Sequence, residues 1–256
     1  MMTPMTTPAH ETAGDSAAVA RIEALAHVRS ALALLHAAAG QGPAAFSTSF
    51  GAEDMVVLDL IARHVLPIAM FTLDTGRLPE ETYELMRAVE QRYGRCVDTL
   101  FPDGRAVQDL VARNGINGFR DSVENRKACC AVRKLEPLGR GLAGKRAWVT
   151  GLRAQQSTAR AQLAPREIDA QHGVEKFNPL HDWSESQVWD YLRAIGVPYN
   201  ALHDRFYPSI GCAPCTRAVA VGEDIRAGRW WWENADAKEC GLHPGGVSVI
   251  PLRVTA

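Results

Sequence analysis

Apolar positions along the first two thirds of the chain switch repeatedly between helical and strand spacing. From Ser16 to Ala39, residues Val19, Ile22, Leu25, Val28, Leu32 and Leu35 step by three or four. That stripe predicts one long helix with a single buried face, ended by Gly40 and Gly42. Ala44 to Ser49 predicts a short strand closing in a Ser/Gly turn, and Ala52 to Arg63 a helix with acids in its first turn. Leu66 to Leu73 is a nearly continuous apolar run, the pattern of a parallel strand covered on both faces. Pro79 opens the next helix with Glu80 and Glu81 at its positive end, and Gly94 closes it. Cys96–Phe101 and Arg146–Thr150 predict further strands, with a helix over Arg105–Asn114. The alternation predicts an α/β fold: an open, twisted, mostly parallel sheet with helices on both faces.

A capping box, Ser184-x-x-Gln187, starts a helix reaching about Ile195. Beyond Pro198 periodicity fades into loops, a Trp230-Trp231-Trp232 run and a cysteine-bearing tail. The expected organisation is a disordered lead-in over 1–15, an α/β domain over 16–222 and a functional C-terminal segment over 223–256.

Composition narrows the function classes. Hydrophobic residues make up 46% and charged residues 22% of 256 positions, and a core of that size needs no disulfide staples. A net charge of -1 argues against a global basic field for nucleic acid, while a local Arg/Lys cluster for a small anion stays open. Neither a basic-then-apolar leader nor an apolar run approaching about 18 residues is visible, so no signal peptide or membrane span is expected. The expected compartment is the reducing cytoplasm, where cysteines bind metal or react rather than pair.

Six cysteines carry most of the chemistry. Cys129 and Cys130 are adjacent, and Cys212-x-x-Cys215 is a spaced pair. Two tight pairs fit a metal site better than four buried hydrophobes, the reading kept for Cys96. A spaced pair suits zinc, but adjacent side chains diverge and converge poorly on one ion, whereas an iron–sulfur cluster offers separate iron corners. Spacing therefore favours a 4Fe-4S cluster and leaves zinc open. Lys134 sits one helical turn beyond Cys130, close enough to offset thiolate charge or hold an anion, while Lys127 and Arg133 read as a solvated helix face. In the tail, Lys238 and His243 flank Cys240, and nearby positive charge favours the thiolate. An exposed cysteine with no role accounts for Cys240 equally well.

The first strand runs into Ser47-Thr48-Ser49-Phe50-Gly51-Ala52-Glu53-Asp54. A helix start at the carboxyl end of such a strand offers N–H groups to an anion; Ser47 and Ser49 add hydroxyls, and Gly51 lets backbone come close. Glu53 and Asp54 would repel a phosphate, so they are expected to orient the loop. The second strand ends at Leu73-Asp74-Thr75-Gly76 beside the same crevice, where a base can lie. Taken singly, each motif is equally an ordinary turn.

Together, the Cys129-Cys130…Cys212-x-x-Cys215 set, the Ser49-Phe50-Gly51-Ala52-Glu53-Asp54 turn and the Glu239-Cys240-Gly241-Leu242-His243 tail resemble the assimilatory adenosine 5′-phosphosulfate (APS) reductases of the PAPS/APS reductase family, over about Phe46 to His243. The resemblance implies an adenine-nucleotide α-hydrolase-like, PP-loop-type fold, with a turn that departs from the Ser-Gly-Gly-x-Asp-Ser form of ATP-using members. It implies that Cys129, Cys130, Cys212 and Cys215 ligate a 4Fe-4S cluster. Cys240 would attack the sulfur of APS, release AMP and form an S-sulfocysteine that thioredoxin reduces to sulfite, in sulfate assimilation for cysteine biosynthesis. Lys134, Arg226, Arg229 and His243 would bind the phosphosulfate, Arg153 and Arg160 the nucleotide, Ser47, Ser49 and Gly51 the phosphate, and Leu73 the adenine. A homo-oligomer is one assembly the resemblance allows.

Three rivals remain. A reductase for the 3′-phosphorylated substrate generally lacks the four cluster cysteines. A PP-loop ligase needs a pyrophosphate loop that this turn does not match. A non-enzymatic zinc or iron–sulfur module leaves Cys240 and the turn unexplained. The tryptophans are expected to pack at the base of the tail, with a docking face for the reductant as the bolder alternative.

Overall fold

The computed structural model describes residues 13–157 and 160–233. Its centre is a six-stranded sheet ordered β3-β2-β1-β4-β6-β5, with β1 at Ala44–Thr48, β2 at Ile68–Leu73, β3 at Val97–Leu100, β4 at Ala147–Val149, β5 at Arg166–Asp169 and β6 at Val174–Phe177. All neighbouring pairs are parallel except β5 on β6. The chain builds β1, β2 and β3 outward in one direction and then places β4 on the other side of β1. Strand order reverses there, which opens a crevice at the carboxyl ends of the strands.

Strand side chains alternate between two cores, as a period of two dictates. Ala44, Phe46, Ile68, Met70, Ala147, Val149 and Phe177 face the larger one. Helices α2 (Ala26–Gly40), α3 (Ala52–Arg63), α4 (Glu80–Tyr93) and α8 (Glu185–Ile195) supply most of its other buried residues. Ala45, Phe71, Trp148 and Val174 face the opposite side, against Leu138 and Leu142 of α7 (Glu136–Leu142). At Gly141, an added Cβ would come within 2.6 Å of the Phe71 ring, so this glycine sets how closely α7 lies on the sheet.

The expected helix from Ser16 to Ala39 is two helices, α1 (Ala13–Glu23) and α2, broken where Leu25 turns extended at φ -64, ψ 138. α1 packs on α8 while α2 packs on β4 and β6, so tertiary contact divides a stripe that contains no breaker residue. α5 (Gly104–Asn114) starts one residue earlier than its spacing implies, capped by Asp103 Oδ1 accepting from Ala106 N at 2.8 Å. Ser184 and Gln187 form their capping box on α8, as expected. The edge pair β5–β6 and the helices α6 (Val123–Cys130) and α7 are additions that the apolar pattern does not predict. No described helix is long and apolar enough to cross a membrane.

Candidate active site

A cleft of about 250 Å³ opens at the carboxyl ends of β1, β2 and β4. Its floor includes the β1–α3 turn, with Ser47, Ser49 and Gly51, and Leu73 closes the β2 side. Lys134, Arg153 and Arg160 line it, as do Arg226 and Arg229 from the C-terminal segment. Every expected substrate-binding residue that is described therefore meets in one cavity. Cys240 and His243 lie outside the described residues.

The turn is built by side chains folding back on backbone. Phe50 is buried and takes the left-handed conformation, φ 58, while its N–H donates to Thr48 Oγ1 at 3.0 Å. A bulky residue held there is a strained feature that only surrounding structure can maintain, and such strain gathers at ligand sites. Gly51 itself has φ -69 and room for a Cβ, so the protein backbone makes no use of its freedom. Asp54, on the first turn of α3, accepts from Ser49 N at 2.6 Å and from Ser49 Oγ at 2.8 Å. Ser49 thus spends its hydroxyl proton on the loop rather than offering it to the cleft. Ser47 Oγ accepts from Trp148 Nε1 at 2.8 Å, so a β4 indole fixes that hydroxyl. Glu53 takes Arg153 Nε at 2.8 Å, and Arg153 Nη1 also donates to Trp183 O at 3.3 Å. Both acids orient the turn, as expected from their repulsion of phosphate. The anion donors left at this end are the open N–H groups at the start of α3.

Burial pushes the Asp54 carboxyl up to about 6, with the Glu53 charge adding to it and the Ser49 hydrogen bonds and Arg160 opposing. A carboxyl raised on folding holds its proton longer in the native state, so its contribution to stability falls as pH rises from about 4 to 6 and is level above. The stability difference between Asp54→Asn and the parent is expected to shift in favour of the variant by on the order of 3 kcal/mol across that window. Denaturant melts at pH 4, 5, 6 and 7 check this; a difference independent of pH contradicts it. At Gly151, just after β4, an added Cβ would lie 2.1 Å from Asp54 Oδ1 and 3.1 Å from Asp54 N. Gly151→Ala is expected to push the β4 end off the first turn of α3 and weaken binding of an anionic probe such as inorganic phosphate in the cleft roughly ten-fold, read by calorimetry.

The four cysteines come from two elements. Cys129 and Cys130 end α6, and Cys212 and Cys215 bracket a short 3₁₀ turn over Ala213–Cys215. Between Cys130 and α7 the chain winds as a π-helix over Ala131–Leu135, a departure common at functional sites. That wider turn rotates Arg133 inward, contrary to the solvated-face expectation: it is buried and donates from Nη1 to Thr75 O at 2.6 Å. Lys127 remains exposed, as expected. Thr75 Oγ1 lies 3.2 Å from Cys212 Sγ.

The thiols feel one another. Burial and then the Cys212 charge push Cys215 up to about 12, with Cys130 adding to it. Burial raises Cys129, and Cys212 again contributes. Cys212 goes the other way: burial raises it, but Lys134, the Thr75 hydroxyl, Arg229 and Arg133 together bring it below the ordinary thiol value. Among the described residues, no three His, Cys, Asp or Glu side chains close around a point where a single ion could sit. Cys212 and Lys134 also line the cleft, so the thiol set adjoins it directly.

The C-terminal segment closes one wall. Thr216 and Arg229 form an antiparallel bridge, and Trp230 N donates to Cys215 O at 3.2 Å. Trp230 is buried between two guanidiniums, with Arg126 4.6 Å and Arg229 4.8 Å from its ring centre. Trp231 stands edge-on to Trp232, and Arg120 lies over both. Trp230 thus packs as expected and Trp232 is half-buried beside it, whereas Trp231 is exposed. Sequence reasoning did not single out Trp148, Thr75 or Arg126. The signal available for Arg126 was its place one turn before Cys129 and Cys130 on a helix.

Residues 43–218 match the phosphoadenosine phosphosulfate reductase domain. The chain belongs to the PAPS/APS reductase family. Within that family it is 63% identical over 198 residues to the adenosine 5′-phosphosulfate reductase of Allochromatium vinosum, covering 77% of each chain. A solved phosphoadenylyl-sulfate reductase from Candida auris, in complex with phosphate, superposes with a TM-score of 0.63 at 27% identity, over 84% of this chain and all of that one. The FMN adenylyltransferase of Candida glabrata shares the fold alone, with a TM-score of 0.51 at 13% identity over 92% of this chain and 84% of that one. The open, mostly parallel α/β architecture expected from the apolar pattern and the resemblance is therefore the family fold.

Proposed function

We propose that the chain reduces adenosine 5′-phosphosulfate to sulfite and AMP, using Cys240 as nucleophile and thioredoxin as reductant, in the cytoplasm and in the service of cysteine biosynthesis. The observation that carries this reading is one cleft that joins a phosphate-type turn, five cationic side chains and the edge of a four-thiol set. The relatives named for APS reduction give the substrate class.

The Cys240 thiolate attacks the sulfur of the sulfonyl group. An S–S bond forms, the bond from sulfur to the bridging phosphate oxygen breaks, and that electron pair leaves with AMP. A thioredoxin thiolate then attacks the Cys240 sulfur and displaces sulfite. The second thioredoxin thiol resolves the mixed disulfide, returning Cys240 reduced and leaving thioredoxin oxidised by two electrons. Lys134, Arg226 and Arg229 have the charge to screen a thiolate approaching an anion and to stabilise the phosphate as it departs, with His243 joining them from the tail. Arg153 and Arg160 serve the nucleotide, Leu73 the adenine, and Ser47, Ser49 and Gly51 shape the turn that holds its phosphate.

Cys129, Cys130, Cys212 and Cys215 would hold a 4Fe-4S cluster. An all-thiol donor set made of one adjacent pair ending α6 and one spaced pair at a 3₁₀ turn is the chemistry such a cluster takes. When bound, the cluster supplies fixed charge beside the cleft. The segment 223–256 acts as a functional arm on the α/β domain, and a homo-oligomer is compatible with this reading.

Competition between APS and PAPS as substrates, with AMP and sulfite release measured for each, is the direct test. Turnover of APS with little use of PAPS is expected. Equal use of both removes the specificity, and use of neither removes the function.

A further inference from the structure

Gly211 immediately precedes the Cys212–Cys215 turn and lines the cleft together with Arg229. Its backbone is not left-handed, so conformation does not demand a glycine there. Space does. The three atoms nearest to a Cβ added at Gly211 all belong to the Arg229 guanidinium, with Cζ at 2.6 Å, Nη1 at 2.9 Å and Nη2 closer still. The guanidinium therefore fills the volume that any side chain at residue 211 would take. Gly228 differs, because an added Cβ there would run into the backbone carbonyl of Arg217.

The rest of the seat is firm. Arg229 is buried, its Nη1 donates to Ile210 O at 3.2 Å, and its Cζ lies 4.8 Å from the centre of the Trp230 ring. Gly211 N donates to Thr216 Oγ1 at 3.1 Å, and that hydroxyl donates to Cys212 O at 2.9 Å. Thr216 is also the residue that bridges to the backbone of Arg229. Backbone on both sides of the contact is thus held by hydrogen bonds, while the guanidinium ends a long side chain with many rotamers. A methyl group added at residue 211 displaces the part that yields most cheaply, which is the guanidinium.

We propose that Gly211 is a positioning residue for anion binding: the side chain it lacks is the seat of the Arg229 guanidinium, which it lets lie against the thiol turn in the cleft wall. The inference rests on the reading of Arg229 as an anion ligand. A buried guanidinium binds an anion well only in a narrow range of orientations, so a shift in its plane costs affinity without loss of charge.

The test is a double-mutant cycle on the full-length protein, with the parent, Gly211→Ala, Arg229→Ala and the double variant, and with inorganic phosphate as the calorimetric probe. Gly211→Ala is expected to weaken phosphate binding about ten-fold, and Arg229→Ala at least as much. The double variant is expected to bind no more weakly than Arg229→Ala, because the methyl group then enters space the guanidinium has left. Iron content and Tm of Gly211→Ala are expected to match the parent. Additive losses overturn the proposal, since the methyl group would then act through the backbone of the thiol turn. Parent affinity in Gly211→Ala overturns it as well, as does weaker binding that tracks lost iron or a lowered Tm. Parent affinity in Arg229→Ala removes the anion-binding reading of Arg229 and the proposal with it, whereas additivity on top of a weakened Arg229→Ala removes the proposal alone. A crystal structure of Gly211→Ala gives a readout free of binding: the guanidinium should leave Ile210 O with the backbone of residues 209–212 in place, and a guanidinium still seated there overturns the proposal.

Discussion

Cys240→Ser is expected to bind AMP and APS with the parent's affinity, to form no covalent sulfonate, and to lose sulfite production by roughly a thousand-fold or more. The described cleft already contains the cationic side chains, the β1–α3 turn and the wall built by Arg226 and Arg229, all without residue 240. On the proposed reading, most of the binding groups lie among the described residues and the nucleophile lies beyond them, so removing the sulfur should cost the chemistry and leave binding largely in place. A serine hydroxyl at the same position remains protonated near neutral pH and is a far weaker nucleophile toward an anionic sulfur than a thiolate. Isotope-labelled APS followed by mass spectrometry gives the decisive reading. Sulfite release at the parent rate from Cys240→Ser would defeat the assignment, and loss of AMP affinity would show that the arm is needed for binding.

That division also explains what sequence could reveal. The parallel sheet was legible because β1, β2 and β4 are apolar runs buried on both faces, with Phe46, Phe71 and Trp148 almost fully enclosed. β5 and β6 were not, since Arg166, Glu167, Glu175 and Lys176 break up the apolar signal in a short edge pair. The helix break at Leu25 has no local marker, because it follows from α1 crossing α8. At the site, residue type and spacing brought out the thiols and the arginines but not how their neighbours are used. Gly51 drew attention as the flexible position, yet Phe50 holds the left-handed backbone. Ser49 looked like an anion donor, yet Asp54 takes both its N–H and its hydroxyl. Arg133 looked solvated on an α-helical wheel, and a π-turn invisible to that periodicity buries it. Each of these depends on contacts between residues distant in sequence or on a local change of helical pitch, and neither leaves a periodic trace.

Cys212→Ser carries the second large expected effect because, on the proposed reading, this residue belongs both to the cluster and to the cleft. Its sulfur is buried against the Thr75 hydroxyl, it is under the field of Lys134, Arg229 and Arg133, and it lines the cleft. Serine nearly preserves volume but is a poor iron ligand, so the variant is expected to lose bound iron and visible absorbance and to lose activity by roughly a hundred-fold or more. Thr75→Val separates the two roles. It removes the hydroxyl beside the Cys212 sulfur while leaving all four thiols, so the colour should persist and activity should fall by roughly ten-fold, as expected for a residue supporting a ligand. Iron content, absorbance and APS turnover measured on both variants decide the matter. Full turnover in iron-free Cys212→Ser would remove the cluster from the mechanism. Equal losses in the two variants would mean that Cys212 matters as part of the cleft wall, through its contact with Thr75, rather than as a ligand.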